Sequence, residues 1–312
     1  MLKKVVLACA VAAGCVATGV GADSVESAGG EKRPLKVLMI GNSFSICVLQ
    51  EMPAIAKDLG LPLDLCSLFI GGCSLERHWK NVNAPETKPY RVTWNYVSTA
   101  QDKVPFLARL SAPDAKKVRH GNIPEMLKAD AWDVVTIQQA SGFSWQPASY
   151  EPYGTELIAK IRELAPQAKI YVQQTWSYTP WDKRLAKWGI GQNEMFDKLE
   201  SAYAAFAERH GLDQIYTGKA VQRYRKELPV VYTEKSNDDD VCGTRKFVEK
   251  DGKWSPKGDV FHFNSCGHFL QGLVWTARLF NVDVTKSTYV PKCLKDHPER
   301  AALMRKIATE LK

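Results

Sequence analysis

Two short stretches, far apart in a chain of 312 residues, carry residue types suited to acyl transfer. Near the amino end, Gly41-Asn42-Ser43-Phe44-Ser45 follows the apolar run Lys36-Val-Leu-Met-Ile40. A serine there opens a helix, where free N–H groups and the positive end of the helix dipole favour an alkoxide or an oxyanion. Gly41 permits the tight turn before it. Near the carboxyl end stands Asp259-Val-Phe-His262. An aspartate three residues before a histidine, on a turn, accepts the Nδ1 proton, fixes the tautomer and leaves Nε2 to take a proton from a hydroxyl. Each stretch alone has a plainer reading: Ser43 as a helix cap, and Asp259 and His262 as a loop pair.

Two further stretches supply groups of the kind such chemistry needs. Gly71-Gly72 ends an apolar run and lets a backbone N–H approach a reacting carbonyl, or makes an ordinary turn. Gln138-Gln139-Ala140-Ser141 closes another apolar run, so its amides either donate into a cleft or cap the sheet. His78, in Glu76-Arg77-His78-Trp79, reads as a solvated loop residue or a substrate contact. Trp145, Trp176, Tyr178 and Trp181 follow strand ends and read equally as a sugar-stacking wall or as core. His268 reads as structural, and His120, His210 and His297 as surface residues. Asp238-Asp-Asp240 reads as a solvated loop, since no calcium-loop spacing follows it.

The elements that must hold these residues alternate. Lys36–Ile40, Leu61–Ile70, Asp133–Gln138 and Lys169–Gln173 read as buried strands, with Leu212–Tyr216 a further strand or a lead-in to one. Apolar residues at helical spacing predict helices over Ser43–Leu59, Tyr153–Leu164, Glu194–His210, Ser265–Phe280 and Pro298–Leu311. Residues 75–130 show no clean period and read as a long excursion with short helices, one near Pro124–Ala129. Residues 234–258 are polar and read as a surface loop. Such alternation predicts a three-layer α/β/α sandwich around a mainly parallel sheet, of flavodoxin-like type, with the site at the C-terminal strand ends.

Composition narrows the class. The formal net charge is +8, but no Lys/Arg block or basic-aromatic repeat occurs, so no nucleic acid is expected as a partner. Lys3 and Lys4, the uncharged run Val5–Val20 and the small residues Val20-Gly21-Ala22 read as a secretory signal peptide over 1–22. Ala12-Ala13-Gly14-Cys15 offers a second reading, a lipoprotein signal that would tether the protein to a membrane through Cys15. Either way the expected location is periplasmic or secreted. Residues 23–34 read as a disordered leader, and 35–312 as one domain. Of eight cysteines, Cys9 and Cys15 fall in the signal. The others are Cys47, Cys66, Cys73, Cys242, Cys266 and Cys293, for which disulfides and free thiols both stay open. No CxxC pair or HExxH helix occurs, so neither a metal nor a cofactor is expected.

Taken in order and on these elements, the stretches resemble the SGNH (GDSL-like) hydrolase superfamily over roughly Leu35–Phe280. Ile40-Gly-Asn-Ser43-Phe is similar to its first block, with Asn42 where Asp is usual. Gly72 matches the glycine of the second block, and Asp259-Val-Phe-His262 the last. The GNSFS start, Gly71–Trp79, Ile137–Ser141 and Gln173-Gln-Thr-Trp176 look like one bacterial branch of that superfamily. The resemblance implies a serine esterase with a Ser43–His262–Asp259 triad and an oxyanion hole built from the N–H groups of Ser43 and Gly72. The superfamily's third block supplies an Asn side chain through a GxND pattern that is missing near Ile137. The amide of Gln138 is the expected replacement, with Ser141 or Gln139 as substitutes. Asn42, His78, Ser141 and Trp176 are the expected substrate contacts. Export and rim aromatics suggest an acylated, for example acetylated, carbohydrate or a small ester as substrate. The rival reading is a protein of the same fold that binds a glycan without turnover.

Overall fold

The computed structural model describes residues 33–97, 119–228, 240–243 and 246–312. The expected signal peptide and all but the last two residues of the expected leader lie outside these residues, as do Cys9, Cys15, Asp238 and Asp239.

The apolar runs become strands because they bury both faces. In β1 (Leu35–Gly41), Val37, Leu38, Met39 and Ile40 are at most 1% exposed. Removing each such side chain from water contributes about 1.5–3 kcal/mol, which outweighs the weak local preference of a five-residue run. β2 (Leu63–Phe69), β5 (Val134–Ile137) and β6 (Lys169–Gln173) have the same character, and β7 (Asp213–Ile215) closes one edge. Two strands within the irregular excursion, β3 (Tyr90–Val97) and β4 (Arg119–Gly121), add to the other edge. The sheet has seven strands in the order β4-β3-β2-β1-β5-β6-β7, parallel from β2 to β7, with β3 and β4 antiparallel.

The helices form two groups. α2 (Met52–Asp58), α8 (Thr217–Glu227), α9 (Ser265–Phe280) and α10 (Pro298–Glu310) pack through α9 and α10. α3 (Leu75–Val82), α4 (Ile123–Lys128) and α5 (Tyr153–Leu164) pack together. α7 (Gln192–His210) joins the second group through Tyr203 and Phe206 against Tyr150, just ahead of α5. The result is the expected three-layer α/β/α sandwich. From β1 the chain moves to β2 on one side and later to β5 on the other. Open α/β sheets take ligands at such a reversal, which here lies at the C-terminal ends of β1 and β5.

Three expectations need correction. The helix predicted over Ser43–Leu59 is broken into α1 (Ser43–Ile46), a 3-10 turn at Cys47–Gln50, and α2. Residues 75–130 contain strands as well as helices. The predicted loop at 234–258 includes a two-stranded hairpin, β8 (Lys246–Lys250) with β9 (Lys253–Lys257). The short α6 (Lys183–Trp188), capped by Asp182, and α8 lay outside the sequence prediction.

Candidate active site

The two distant stretches meet. Ser43 Oγ lies 2.8 Å from His262 Nε2, across 219 residues of sequence. His262 Nδ1 lies 2.5 Å from Asp259 Oδ2. A carboxylate accepts only, so Nδ1 carries the ring proton in this pair, and Nε2 is left to accept from the serine hydroxyl. The Asp259 turn is self-closed: its Oδ1 accepts the backbone N–H of Phe261 and of His262 at 2.9 and 2.8 Å. Burial pushes the Asp259 carboxyl up, but the His262 ring and those two N–H groups outweigh it and hold the carboxyl at about 2. Asp259 therefore stays ionised and able to stabilise a protonated imidazole at neutral pH.

The helix that carries Ser43 is capped by Asn42, not by Ser43. Asn42 Oδ1 accepts Phe44 N–H at 3.0 Å, which frees the Ser43 hydroxyl for His262. Asn42 Nδ2 in turn donates to the carbonyl of Cys73 at 2.9 Å, tying the nucleophile turn to the loop after β2. Gln138 Nε2 donates to Asn42 Oδ1 at 2.5 Å. The carbonyl of Phe44 accepts from two buried amides, Gln173 Nε2 at 2.9 Å and Gln271 Nε2 at 2.8 Å. These amides sit where the next helical N–H would bond, which accounts for the early end of α1. Gly41 leaves no room for a side chain, because a Cβ there would stand 2.3 Å from Ser45 Oγ.

Gly72 has φ +60, a left-handed conformation that a residue with a Cβ adopts only under strain, in a loop otherwise open around it. No acceptor among the described residues takes the N–H of Ser43 or of Gly72. Both are donors of the kind an oxyanion needs, from loops that Asn42 joins together.

Several expected substrate contacts are buried instead. Asn42 is 1% exposed and serves as cap and strut. Gln138, also 1% exposed, commits one amide N–H to Asn42, so the role its geometry supports is bracing and not an open donor in the cleft. Gln139 bonds Leu75 N–H through Oε1 and the Ser149 carbonyl through Nε2. Ser141 Oγ pairs with the hydroxyl of Tyr178 at 2.8 Å. Trp176 is wholly buried, stacked on Phe44 and on Phe263, and its Nε1 donates to the Phe261 carbonyl. His78 is not a solvated loop residue. It is fully buried in α3, with Nδ1 2.8 Å from the Tyr90 hydroxyl and 3.5 Å from Cys73 Sγ. Burial, with Arg77 adding a smaller push, lowers its imidazole to about 3, so it stays neutral behind the Gly72 loop. The aromatic wall divides: Tyr178 and Trp176 are core, whereas Trp145 lines a groove of about 510 Å³ with Gln146, Pro147, Asp197 and Lys198.

Sequence reasoning missed three supports. Gln271 lies 227 residues from its partner, beyond any local pattern. Asp240 is no solvated residue: it is buried against Arg225, with Nε and Nη2 at 3.2 Å from its two oxygens. Its backbone carbonyl accepts Asn264 Nδ2, the cap of α9, just after His262. His210 is likewise not a free surface residue, since its Nε2 lies 2.9 Å from Glu151 Oε1. No cluster of three or more His, Cys, Asp or Glu suited to a metal occurs among the described residues. No described helix is long and apolar enough to cross a membrane.

Comparison with known proteins gives the same architecture. A DUF4886 family protein from Bacteroides uniformis ATCC 8492 is similar in structure with a TM-score of 0.67 and 23% identity, covering 89% of this chain and 94% of that one. More distant similarities, at TM-scores of 0.42 and 0.36, are to the acetyl xylan esterase AlAXEase (14% identity, 78% of this chain and 98% of that one) and to a GDSL-like lipase from Bacteroides thetaiotaomicron VPI-5482 (13% identity, 81% and 88%). Among curated proteins none matches the chain. The match to a family model running from residue 36 to 310 spans all but the first residue of the sheet and both the Ser43 and the Asp259–His262 stretches, and the chain belongs to that family, domain of unknown function DUF4886.

Proposed function

We propose that the protein is an exported serine esterase that removes acyl groups, acetyl in the first instance, from a carbohydrate. The observation that carries this reading is the continuous hydrogen-bonded line from Ser43 Oγ through both nitrogens of His262 to Asp259 Oδ2. In the reaction Ser43 Oγ attacks the ester carbonyl while His262 Nε2 takes its proton. The carbonyl oxygen becomes an oxyanion held by the N–H groups of Ser43 and Gly72. Each such donor contributes about 3 kcal/mol to the transition state. His262 returns the proton to the leaving alcohol, then activates the water that releases the acid and restores Ser43.

The carbohydrate assignment draws on the expected export and on the Trp145 groove, a mainly apolar surface around an indole with Gln146, Asp197, Lys198 and Ser201 along it. Export rests on the residues before 23, which have the charge and apolar pattern of a signal peptide. A protein that holds a glycan in that groove without cleaving it is the second reading. Hydrolysis of p-nitrophenyl acetate separates the two. Turnover by the native chain that vanishes in Ser43→Ala supports the esterase. Turnover that survives the substitution rejects the nucleophile, and no turnover on any short-chain ester favours the binding protein.

A further inference from the structure

Cys266 and Cys293 are separate in sequence and adjacent in space. Cys266 lies in the first turn of α9, four residues after the catalytic imidazole. Cys293 lies on the 3-10 turn Lys292–Leu294, between α9 and α10. Their Sγ atoms are 3.0 Å apart, roughly 1 Å more than a disulfide bond requires. Both residues are partly exposed, whereas Cys66, Cys73 and Cys242 are buried and closed to an oxidant.

We propose that Cys266–Cys293 is a disulfide modification site that staples the start of α9 to the carboxyl-terminal segment. The two thiols give up two protons and two electrons as the Sγ–Sγ bond forms. A disulfide of the glutathione or thiol-oxidoreductase class accepts them and leaves as two thiols. The Cys266 thiol is pushed up to about 12, mainly by burial, with the neighbouring Cys293 adding to it. Exchange proceeds through the thiolate, so a raised thiol slows it at neutral pH, and the bond forms faster as the pH rises.

The staple has a structural consequence. The N–H groups of Cys266 and Gly267 are held by Asn264 Oδ1, and Asn264 Nδ2 is held by the Asp240 carbonyl. The His262 carbonyl accepts the N–H of Gly243 beside them. Fixing Cys266 thus fixes the end of the loop that carries His262. The bridge closes a 27-residue separation, a length at which constraint of the unfolded chain is substantial.

The test uses the full chain equilibrated with oxidised glutathione, and needs no esterase activity. The expected result is loss of two hydrogens in the intact mass, a peptide pair linking 266 to 293, and a Tm about 5 °C or more above that of the reduced chain. Cys293→Ser should show the reduced Tm in either buffer. Cys266→Ala repeats the comparison if that variant does not fold, and reduction of the native chain gives the same contrast without any substitution. Full alkylation of both thiols after oxidation, or a link to a different cysteine, would overturn the assignment. A 266–293 link that leaves Tm unchanged on reduction would overturn the staple.

Discussion

Ser43 and His262, the proposed nucleophile and base, reach the same point by different means. Ser43 stands on a turn braced from the interior by side chains from β6, α9 and the residue after β5. Gln138 holds Asn42, and Gln173 and Gln271 hold the Phe44 carbonyl, all at 1% exposure or less. His262 stands on a loop whose catalytic side chains are about one-third exposed, at 32% for His262 and 29% for Asp259. That loop is closed by its own aspartate and pinned to the interior on one side by the buried Trp176 and Thr179, which donate to the carbonyls of Phe261 and Val260. The Ser43 half is thus built into the core on several sides, and the His262 half is a partly exposed loop held to the core from one side. A change in the first should cost stability and activity together, while a change in the second should cost activity alone.

The sharpest break in that comparison is Asp259→Asn. The amide would present the wrong hydrogen-bonding pattern to Nδ1, so kcat should fall roughly 10³–10⁴-fold while Tm moves little. Steady-state kinetics with thermal melting reads both, and an unaltered kcat would remove Asp259 from the mechanism. Next comes Arg225→Met, far from the hydroxyl. It strands the Asp240 carboxylate in a buried site, which should lower stability by about 3–5 kcal/mol. Urea unfolding measures it, and a loss under 1 kcal/mol would show that water reaches Asp240 freely.

A smaller and mixed effect is expected of Gln271→Leu, which leaves Phe44 O with one partner in place of two. Stability should fall by about 1–3 kcal/mol and kcat should fall with it. A loss of stability with kcat intact would show that the brace does not position Ser43. The smallest effect concerns acid. His78 and His268 are held neutral, lowered to about 3 and about 4 by burial. Unfolding lets both bind protons near their ordinary pKa of about 6.5, so the stability they lend is full above that value and shrinks as pH falls toward 4. His78→Gln should flatten part of that slope in melts taken between those limits. An unchanged slope would mean that His78 is not held neutral.

How much of this was legible beforehand depends on how local each signal is. β1, β2, β5 and β6 were readable because burial on both faces writes a mostly apolar run. α5 was readable because one-sided burial repeats at helical spacing, and α9 because a long, largely apolar stretch follows a capping Asn264. Tyr90–Val97 escaped because Arg91, Thr93 and Asn95 dilute the apolar pattern of a strand that pairs antiparallel with β2 outside the parallel core. The break after Ile46 escaped because the apolar period runs on through it, and its cause lies at Gln173 and Gln271. Ser43, His262 and Asp259 stood out by type, but depth was not legible. Trp176, His78 and Asn42 have side chains as fit for a substrate as for a core, and only the folded chain shows them turned inward. The pairing of Arg225 with Asp240 had no signal at all, since a charge in a polar stretch reads as solvated until its partner is known.

The central claim is that His262 and Asp259 make the Ser43 hydroxyl uniquely nucleophilic. A fluorophosphonate probe tests it most directly, because it phosphonylates an activated serine and leaves ordinary ones untouched. The account predicts one adduct per chain, mapped to Ser43 by peptide mass and lost in His262→Ala. An adduct on another residue, or none on a folded native chain, would contradict it.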